Sequence, residues 1–173
     1  MNIVLEVLLV LVTGAAVFLT AYFLLKMFFQ NESKKREFEH KTQNLKLVLP
    51  IRLQAYERIV MFLERISPNS LAIRLQVPGM EALQLQKEML SLIRAEFEHN
   101  VSQQIYMSKE AWDIACSAKE NVVKIINLSA QNVAPNAPAM QLSQLMMDAW
   151  SKINPTPTHT AIVFIKSEIK QLF

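Results

Sequence analysis

The sequence predicts an all-α protein in which an N-terminal transmembrane helix precedes a bundle of about four or five helices. Residues 7–25 form a run of nineteen positions without a charged side chain. As an α-helix rising about 1.5 Å per residue, such a run extends about 30 Å, the thickness of a bilayer's hydrocarbon core. Glycine occurs only twice, as Gly14 and Gly79, which disfavours tight hairpins and therefore sheets. The predicted regions are residues 1–29 with the transmembrane helix, a basic juxtamembrane segment 30–49 and a helical domain 50–173.

The apolar run fits a retained anchor better than a cleaved signal peptide. A signal peptide has a basic start, a shorter apolar stretch and small residues at its cleavage site. Here residues 1–6 carry no base and one acid, Glu6, and the bulky segment Lys26–Phe29 follows the run. Basic residues cluster after the run and are absent before it, and such a bias marks the cytoplasmic side. We therefore expect a single-pass protein of the inner (cytoplasmic) membrane with its N-terminus outside and its C-terminal domain in the cytoplasm.

The basic charge is confined to the segment after the apolar run. Residues 26–52 hold seven Lys or Arg and three acids, whereas residues 53–173 hold eleven of each sign. A neutral domain gives no indication of a nucleic-acid partner. The basic segment could contact anionic lipid, at about 1 kcal/mol per basic side chain near the surface, although the same excess is an ordinary cytoplasmic flank. The candidate lipid contacts are Lys34, Lys35, Arg36 and Lys41.

Apolar residues after residue 50 recur at helical spacing. Pro50 suits the first turn of a helix, and Ser108 suits an N-cap. The longest helix is expected to bend near His99 and Asn100, and a C-terminal helix is favoured over a strand. The residues between 30 and 49 leave an ordered helix and a flexible tether both open. Helices are predicted over Ile51–Ile66, Met80–Tyr106, Lys109–Leu128, Ala139–Ile153 and Thr158–Phe173.

No motif for catalysis, cofactor binding or metal binding is recognisable. Two glycines cannot build a phosphate-cradling loop. His40, His99 and His159 are far apart in sequence, and a single cysteine, Cys116, does not supply the usual zinc pattern. Cys116 lies in an apolar-periodic helix and is expected to be a small core residue. We predict no catalytic, cofactor-binding or metal-binding residue and no cofactor, although an enzyme could still be assembled from distant residues.

One segment, Glu96–Tyr106, concentrates acids, an imidazole and amides. On an α-helix, the side chains at i, i+3, i+4 and i+7 share one face. These positions are occupied by His99, Ser102, Gln103 and Tyr106. The face could be a polar binding surface around a histidine that titrates near neutral pH. It could equally be a solvated face, or a network that fixes the bend.

Three stretches carry a resemblance to a known family. They are Leu53–Ile59 (LQAYERI), Leu63–Pro68 (LERISP) and His99–Tyr106 (HNVSQQIY). Together they resemble an uncharacterised family of short bacterial proteins with one N-terminal transmembrane helix, over roughly residues 50–130. The resemblance implies a bacterial, membrane-anchored, helical protein. It brings no activity, cofactor or partner, and no functional residue is carried over from it.

These observations favour a non-enzymatic interaction protein. We expect a scaffold, or an accessory subunit of a membrane complex, that binds a protein partner or a second copy through a groove or a helix face. Three alternatives stay open: a stalk-like subunit, a sensor of anionic lipid, and a membrane-tethered enzyme centred on His99. The prolines at 50, 68 and 78 argue against a long stalk helix.

Overall fold

The computed structural model describes residues 3–171, and within them the regular structure is entirely helical. The all-α class predicted from the sequence is therefore confirmed for the described residues. The side chains of residues 4–7, 10, 34 and 37–45 are outside this description. The elements are α1 (Ile3–Arg65), α2 (Pro68–Leu75), α3 (Ala82–Asn100), the 3₁₀ helix η1 (Val101–Tyr106), α4 (Lys109–Gln131), α5 (Ala139–Ser151) and α6 (Pro157–Lys170).

The chain divides into two compact units, Met1–Leu49 and Pro50–Phe173, called here the N-terminal and C-terminal units. In the N-terminal unit, the stretch Leu11–Ser33 has a mean hydropathy of 1.8, and none of it is buried. By length and composition this stretch could cross a membrane, although both properties also describe a signal sequence. Its large apolar side chains are exposed. The Phe18 side chain, for example, is 71% exposed.

The sequence predicted that Pro50 begins a helix. In the structure, Pro50 lies inside α1. A proline within a helix has no N–H to donate, so the carbonyl of Lys46 lacks its usual partner four residues on. One missing hydrogen bond does not end the helix here. The backbone of residues 30–49 is helical as well.

The C-terminal unit folds around one apolar core. Residues 50–65 of α1 bury Tyr56, Ile59, Phe62 and Leu63, whose spacing of three, three and one marks a single helix face. Helix α4 packs against α3, α5 and α6. The C-terminal segment is a helix, as the sequence favoured, and it buries its own apolar stripe. The largest fully buried side chains are Tyr56, Phe62, Ile59, Leu63, Ile66, Leu71, Leu85, Met89, Ile93, Ile126, Leu142 and Met146.

A loop caps the start of α3. The Glu81 side chain makes no cap hydrogen bond. Instead, the N–H groups of Ala82 and Leu83 donate to the carbonyls of Ala137 and Pro135, at 2.8 and 3.1 Å. The loop between α4 and α5 thus satisfies backbone donors that a helix start leaves unpaired.

The predicted helix Met80–Tyr106 was too long at its C-terminal end. Helix α3 ends at Asn100, where the sequence indicated a bend, and the chain continues as η1. A 3₁₀ helix has three residues per turn, so the apolar spacing no longer points at the core. Val101 and Ile105, which the periodicity placed on the apolar stripe, are exposed, and Ile105 is 72% so.

The number of helices also exceeds the predicted four or five. Residues 70–76, whose structure the sequence left undecided, belong mostly to α2. The Ser67 hydroxyl accepts from the Ser70 N–H, and Pro68 occupies the first turn. Both features stabilise a helix start.

Candidate functional site

Three arginines on α1 reach across to α3 and η1. They are Arg52, Arg58 and Arg65, separated by six and seven residues, and we call them the arginine row. Arg58 and Arg65, about two helical turns apart, lie on one side of α1, whereas Arg52 is turned about 120° from Arg58 around the helix axis. Their partners are, in order, the Tyr106 carbonyl, the His99 ring and the Glu96 carboxylate. Two of the three stretches that carried the family resemblance are thereby brought together.

Arg65 belongs to an ion-pair cluster that joins three helices. Its Nη1 lies 3.3 Å from both carboxylate oxygens of Glu96. Arg74 of α2 approaches the same carboxylate at 3.5 Å, and the Glu96 side chain is only 13% exposed. The Asn100 side chain donates to the Glu96 carbonyl at 2.8 Å. Two guanidinium groups therefore neutralise one half-buried acid, an arrangement that ties α1, α2 and α3 together.

Arg58 has a different kind of partner. Its Nη2 lies 3.0 Å from His99 Nε2. A guanidinium group cannot accept a hydrogen bond, so this contact is a hydrogen bond only in the tautomer whose Nε2 carries no proton. Among the described residues, no carboxylate lies within 4 Å of the Arg58 guanidinium. The side-chain partner of Arg58 is thus an imidazole and not a carboxylate.

Arg52 leads into a second polar cluster, formed by Tyr56, Ser108 and Glu168 and called here the tyrosine cluster. The Tyr56 hydroxyl donates to Oε1 of Glu168, and the Ser108 hydroxyl donates to Oε2 at 2.7 Å. Arg52 Nη2 and the Ser108 N–H both donate to the Tyr56 oxygen at 3.4 Å. The cluster therefore joins α1, the start of α4 and the end of α6.

The tyrosine cluster is built for holding the fold rather than for nucleophilic chemistry. Burial, and then the hydrogen bond to Glu168, raises the pKa of Tyr56 above its ordinary value, which keeps the phenol protonated as a donor. The Ser108 oxygen also caps α4 by accepting from the Ala111 N–H at 3.0 Å. Within the described part of the chain, no imidazole contacts Ser108, so the base that activates a serine nucleophile is lacking there.

The polar face predicted from helical spacing is divided in the structure. His99 ends α3, whereas Ser102, Gln103 and Tyr106 belong to η1. On a 3₁₀ helix, side chains three residues apart align, so Gln103 and Tyr106 share a line and Ser102 is a third of a turn away. Gln103 donates to the Ser102 hydroxyl at 3.3 Å.

Sequence reasoning missed the partners of this segment, which are Arg52, Arg58, Arg65 and Arg74. It also missed the tyrosine cluster. Only the seven-residue spacing of Arg58 and Arg65 along α1 could have indicated a common side. Nothing in the sequence pointed to Glu168, since it is separated from Tyr56 by 112 residues.

The predicted lipid contacts lie in the N-terminal unit. Lys35 and Arg36 are exposed, and Arg36 Nε pairs with Oε1 of Glu32 at 3.2 Å. The side chains of Lys34 and Lys41 are outside the described set. Contact with lipid stays a prediction for all four.

An apolar groove lies between α2 and α5. Its volume is about 380 Å³, and none of its lining residues carries a charge. Ile73 and Met140 are 74% and 53% exposed at this surface. The lining residues are Asn69, Ala72, Ile73, Gln76, Met140, Ser143, Gln144 and Met147. We call this surface the α2–α5 groove.

The remaining reactive side chains offer little chemistry. No three or more His, Cys, Asp or Glu residues gather into a metal site within residues 3–171 as described. Cys116 is half-buried, and burial raises its pKa, so the nucleophilic thiolate is disfavoured. Trp112 stacks on Phe97 at 5.6 Å between ring centroids, and Lys119 Nζ lies 4.0 Å from the centre of the Phe97 ring. Both rings are partly buried against the core.

Comparison with known proteins adds a family without an assigned function. No curated protein and no solved structure matches the chain. A family model matches residues 2–172, which is nearly the whole chain and includes both units. The protein therefore belongs to a family of unknown function, DUF7935.

Proposed function

We propose that this protein is a membrane-anchored helical interaction protein, acting as a scaffold or as an accessory subunit of a membrane complex without catalysis of its own. The observation that carries the proposal is the helical stretch Leu11–Ser33, which is predominantly apolar and of which none is buried. Large apolar side chains on every side of a helix are stable in lipid, where no water surrounds them. The second support is a C-terminal unit with its own buried core.

The proposed orientation places the N-terminus outside a bacterial inner membrane and the C-terminal unit in the cytoplasm. The support is the position of the basic residues, which follow the apolar stretch and do not precede it. The C-terminal unit would then meet its partners at the membrane's inner face.

Anchoring is tested by alkaline carbonate extraction of membranes that contain the full chain. The double variant Val12→Lys/Phe18→Lys should move the protein to the soluble fraction, since each charge at a helix centre costs about 2.5–3.5 kcal/mol on insertion scales. The matched control Val12→Leu/Phe18→Leu should stay in the pellet.

Orientation is tested by reporters fused after Phe173. A reporter that is active only in the cytoplasm should function, and one that is active only outside the inner membrane should not. The opposite pattern, or a mature chain that begins near Tyr22, contradicts the proposal.

We further propose that the α2–α5 groove is the contact surface for a protein partner. Ile73 and Met140 present apolar surface there, and burying it would be favourable at roughly 25 cal/mol per Å². Because no charged side chain lines the groove, the partner's contacting segment should itself be uncharged and apolar.

Site-specific photo-crosslinking in cells tests the groove. A crosslinker at position 73 should give discrete adducts, either with another protein or with a second copy. The matched control is position 163 on α6, where Val163 is 50% exposed. Equal labelling at the two positions would remove the groove from the proposal.

A stalk-like subunit is the second candidate, and one observation favours it. Helix α1 runs without interruption from Ile3 to Arg65, so Pro50 does not end it as the sequence had suggested. A stalk would self-associate along α1. Cysteine crosslinking at Lys46→Cys in a Cys116→Ser background should then give dimers, and a chain that stays monomeric would exclude this candidate.

A further inference from the structure

We propose that Arg58 and His99 form a binding site for a phosphate-type anion, a site that goes beyond the interaction function proposed above. Two side chains from separate helices, 41 residues apart in sequence, place a guanidinium nitrogen and an imidazole nitrogen 3.0 Å from each other. Both groups bind phosphate in proteins, the first through its fork of N–H donors and the second as a cation.

The contact between the two groups is replaceable. The neutral imidazole can only accept from Arg58, and one guanidinium nitrogen is used in the bond. When the imidazole gains a proton, both of its nitrogens become donors. Two donors at this distance repel, so the two side chains would separate. An oxyanion that enters between the separated groups would accept from both, in two charge-assisted hydrogen bonds.

The surrounding charges leave this pair available. On α1, Arg65 is already paired with Glu96, and Arg74 of α2 shares the same carboxylate. On α3 itself, Glu98 is exposed. Its side chain makes no hydrogen bond or ion pair within the described residues. Among the described residues, Arg58 therefore has no carboxylate partner, whereas Arg65 is paired with Glu96.

Polar donors from η1 follow directly after His99. Ser102 is exposed, and the Gln103 amide donates to its hydroxyl at 3.3 Å. A hydroxyl and an amide can both donate to phosphate oxygens without adding charge. The site would therefore combine the Arg58 guanidinium with the His99 imidazole, and neutral donors lie three and four residues further along the chain.

Histidine-detected NMR on the full chain, in a detergent without net charge, tests the site. The sequence holds three histidines, His40, His99 and His159, so selective labelling gives three ring signals. Inorganic phosphate, added at constant ionic strength against chloride, should shift the His99 signal saturably. The His159 signal should stay in place.

Matched variants separate a site from general charge. Arg58→Gln should weaken phosphate binding by about tenfold or more, the worth of a charge-assisted hydrogen-bond pair. Arg94→Gln removes an exposed arginine from α3 that has no partner in the described structure, and it should leave the binding unchanged. Circular dichroism on each variant checks that it is folded. If Arg58→Gln does not fold, Arg58→Lys, which keeps the positive charge, is the second variant.

The source of the anion is decided by a second arm of the experiment. The same signals are followed with vesicles of phosphatidylcholine containing phosphatidic acid, and with phosphatidylcholine alone. A His99 response to phosphate but not to vesicles assigns a soluble ligand, and a response to phosphatidic acid that depends on Arg58 assigns a lipid headgroup. No saturable shift with either probe, or equal loss in Arg58→Gln and Arg94→Gln, overturns the proposal.

Discussion

The two units contain similar apolar residues but arrange them differently. In the N-terminal unit, every described side chain from residue 11 to residue 31 is exposed. In residues 50–65 of α1, apolar side chains such as Ile59 and Phe62 lie on one face and are buried. The pattern of apolar residues, more than their number, therefore decides whether a helix buries its apolar side chains against neighbouring helices or leaves them exposed.

The largest expected effect is a loss of unfolding free energy that occurs when a core residue of the C-terminal unit is truncated, and not when an exposed residue of the N-terminal unit is. Phe62→Ala should lower the free energy of unfolding of the C-terminal unit by about 3–5 kcal/mol, because it leaves a cavity in the core. Phe18→Ala, its counterpart in the N-terminal unit, should leave that free energy unchanged. Urea unfolding followed by tryptophan fluorescence measures both, since both tryptophans, Trp112 and Trp150, are in the C-terminal unit. A large loss with Phe18→Ala would contradict the separation.

The next effect concerns the tyrosine cluster. Tyr56→Phe removes a donor to Glu168, and leaving a partly buried carboxylate short of a hydrogen bond should cost about 1–3 kcal/mol of unfolding free energy. A double-mutant cycle with Glu168→Gln measures the coupling between the two side chains. Additive losses would mean that the hydrogen bond contributes nothing of its own.

The same tyrosine predicts a dependence of stability on alkaline pH. Its pKa in the folded protein is raised above the ordinary value of 10.0, mainly by burial. The unfolded chain therefore gives up this proton at a lower pH than the folded protein does. The stabilising contribution is complete below pH 10.0 and is lost as the pH rises through the raised pKa. Unfolding midpoints measured between about pH 8 and pH 11 should fall less steeply for Tyr56→Phe than for the natural chain.

The smallest effects compare half-buried with exposed ion pairs. Glu96→Gln should destabilise the C-terminal unit by about 1 kcal/mol, because two arginines lose their common partner at a site only partly screened by water. Asp113→Asn removes the partner of Lys109, in a pair whose side chains are both exposed. It should leave the thermal midpoint within error. An equal shift for both variants would show that burial of Glu96 is unimportant.

Much of the helical architecture could be predicted from the sequence. Apolar periodicity located α4, α5 and α6 to within a few residues, and Ser108 is the N-cap of α4 as expected. The errors occurred where local rules were overridden. Pro50 is accommodated inside α1, and Val101 and Ile105 leave the core because η1 winds more tightly than an α-helix.

The candidate site was only partly predictable. His99 and its polar neighbours stood out by composition, yet their predicted common face assumed an α-helix. The partner of His99 is Arg58, which belongs to another helix and comes 41 residues earlier. Side-chain pairing across such separations depends on how helices pack, and periodicity within one helix contains no such information.

The sequence by itself determined the helical class, the exposed apolar stretch near the start and the local charge excess after it, because composition and spacing act within a few turns of one helix. Tertiary structure alone decided which residues face each other. It placed Arg58 beside His99, Glu96 between two arginines, and Glu168 against Tyr56. The physical reason is that these contacts form only when the burial of the shared core brings distant helices together.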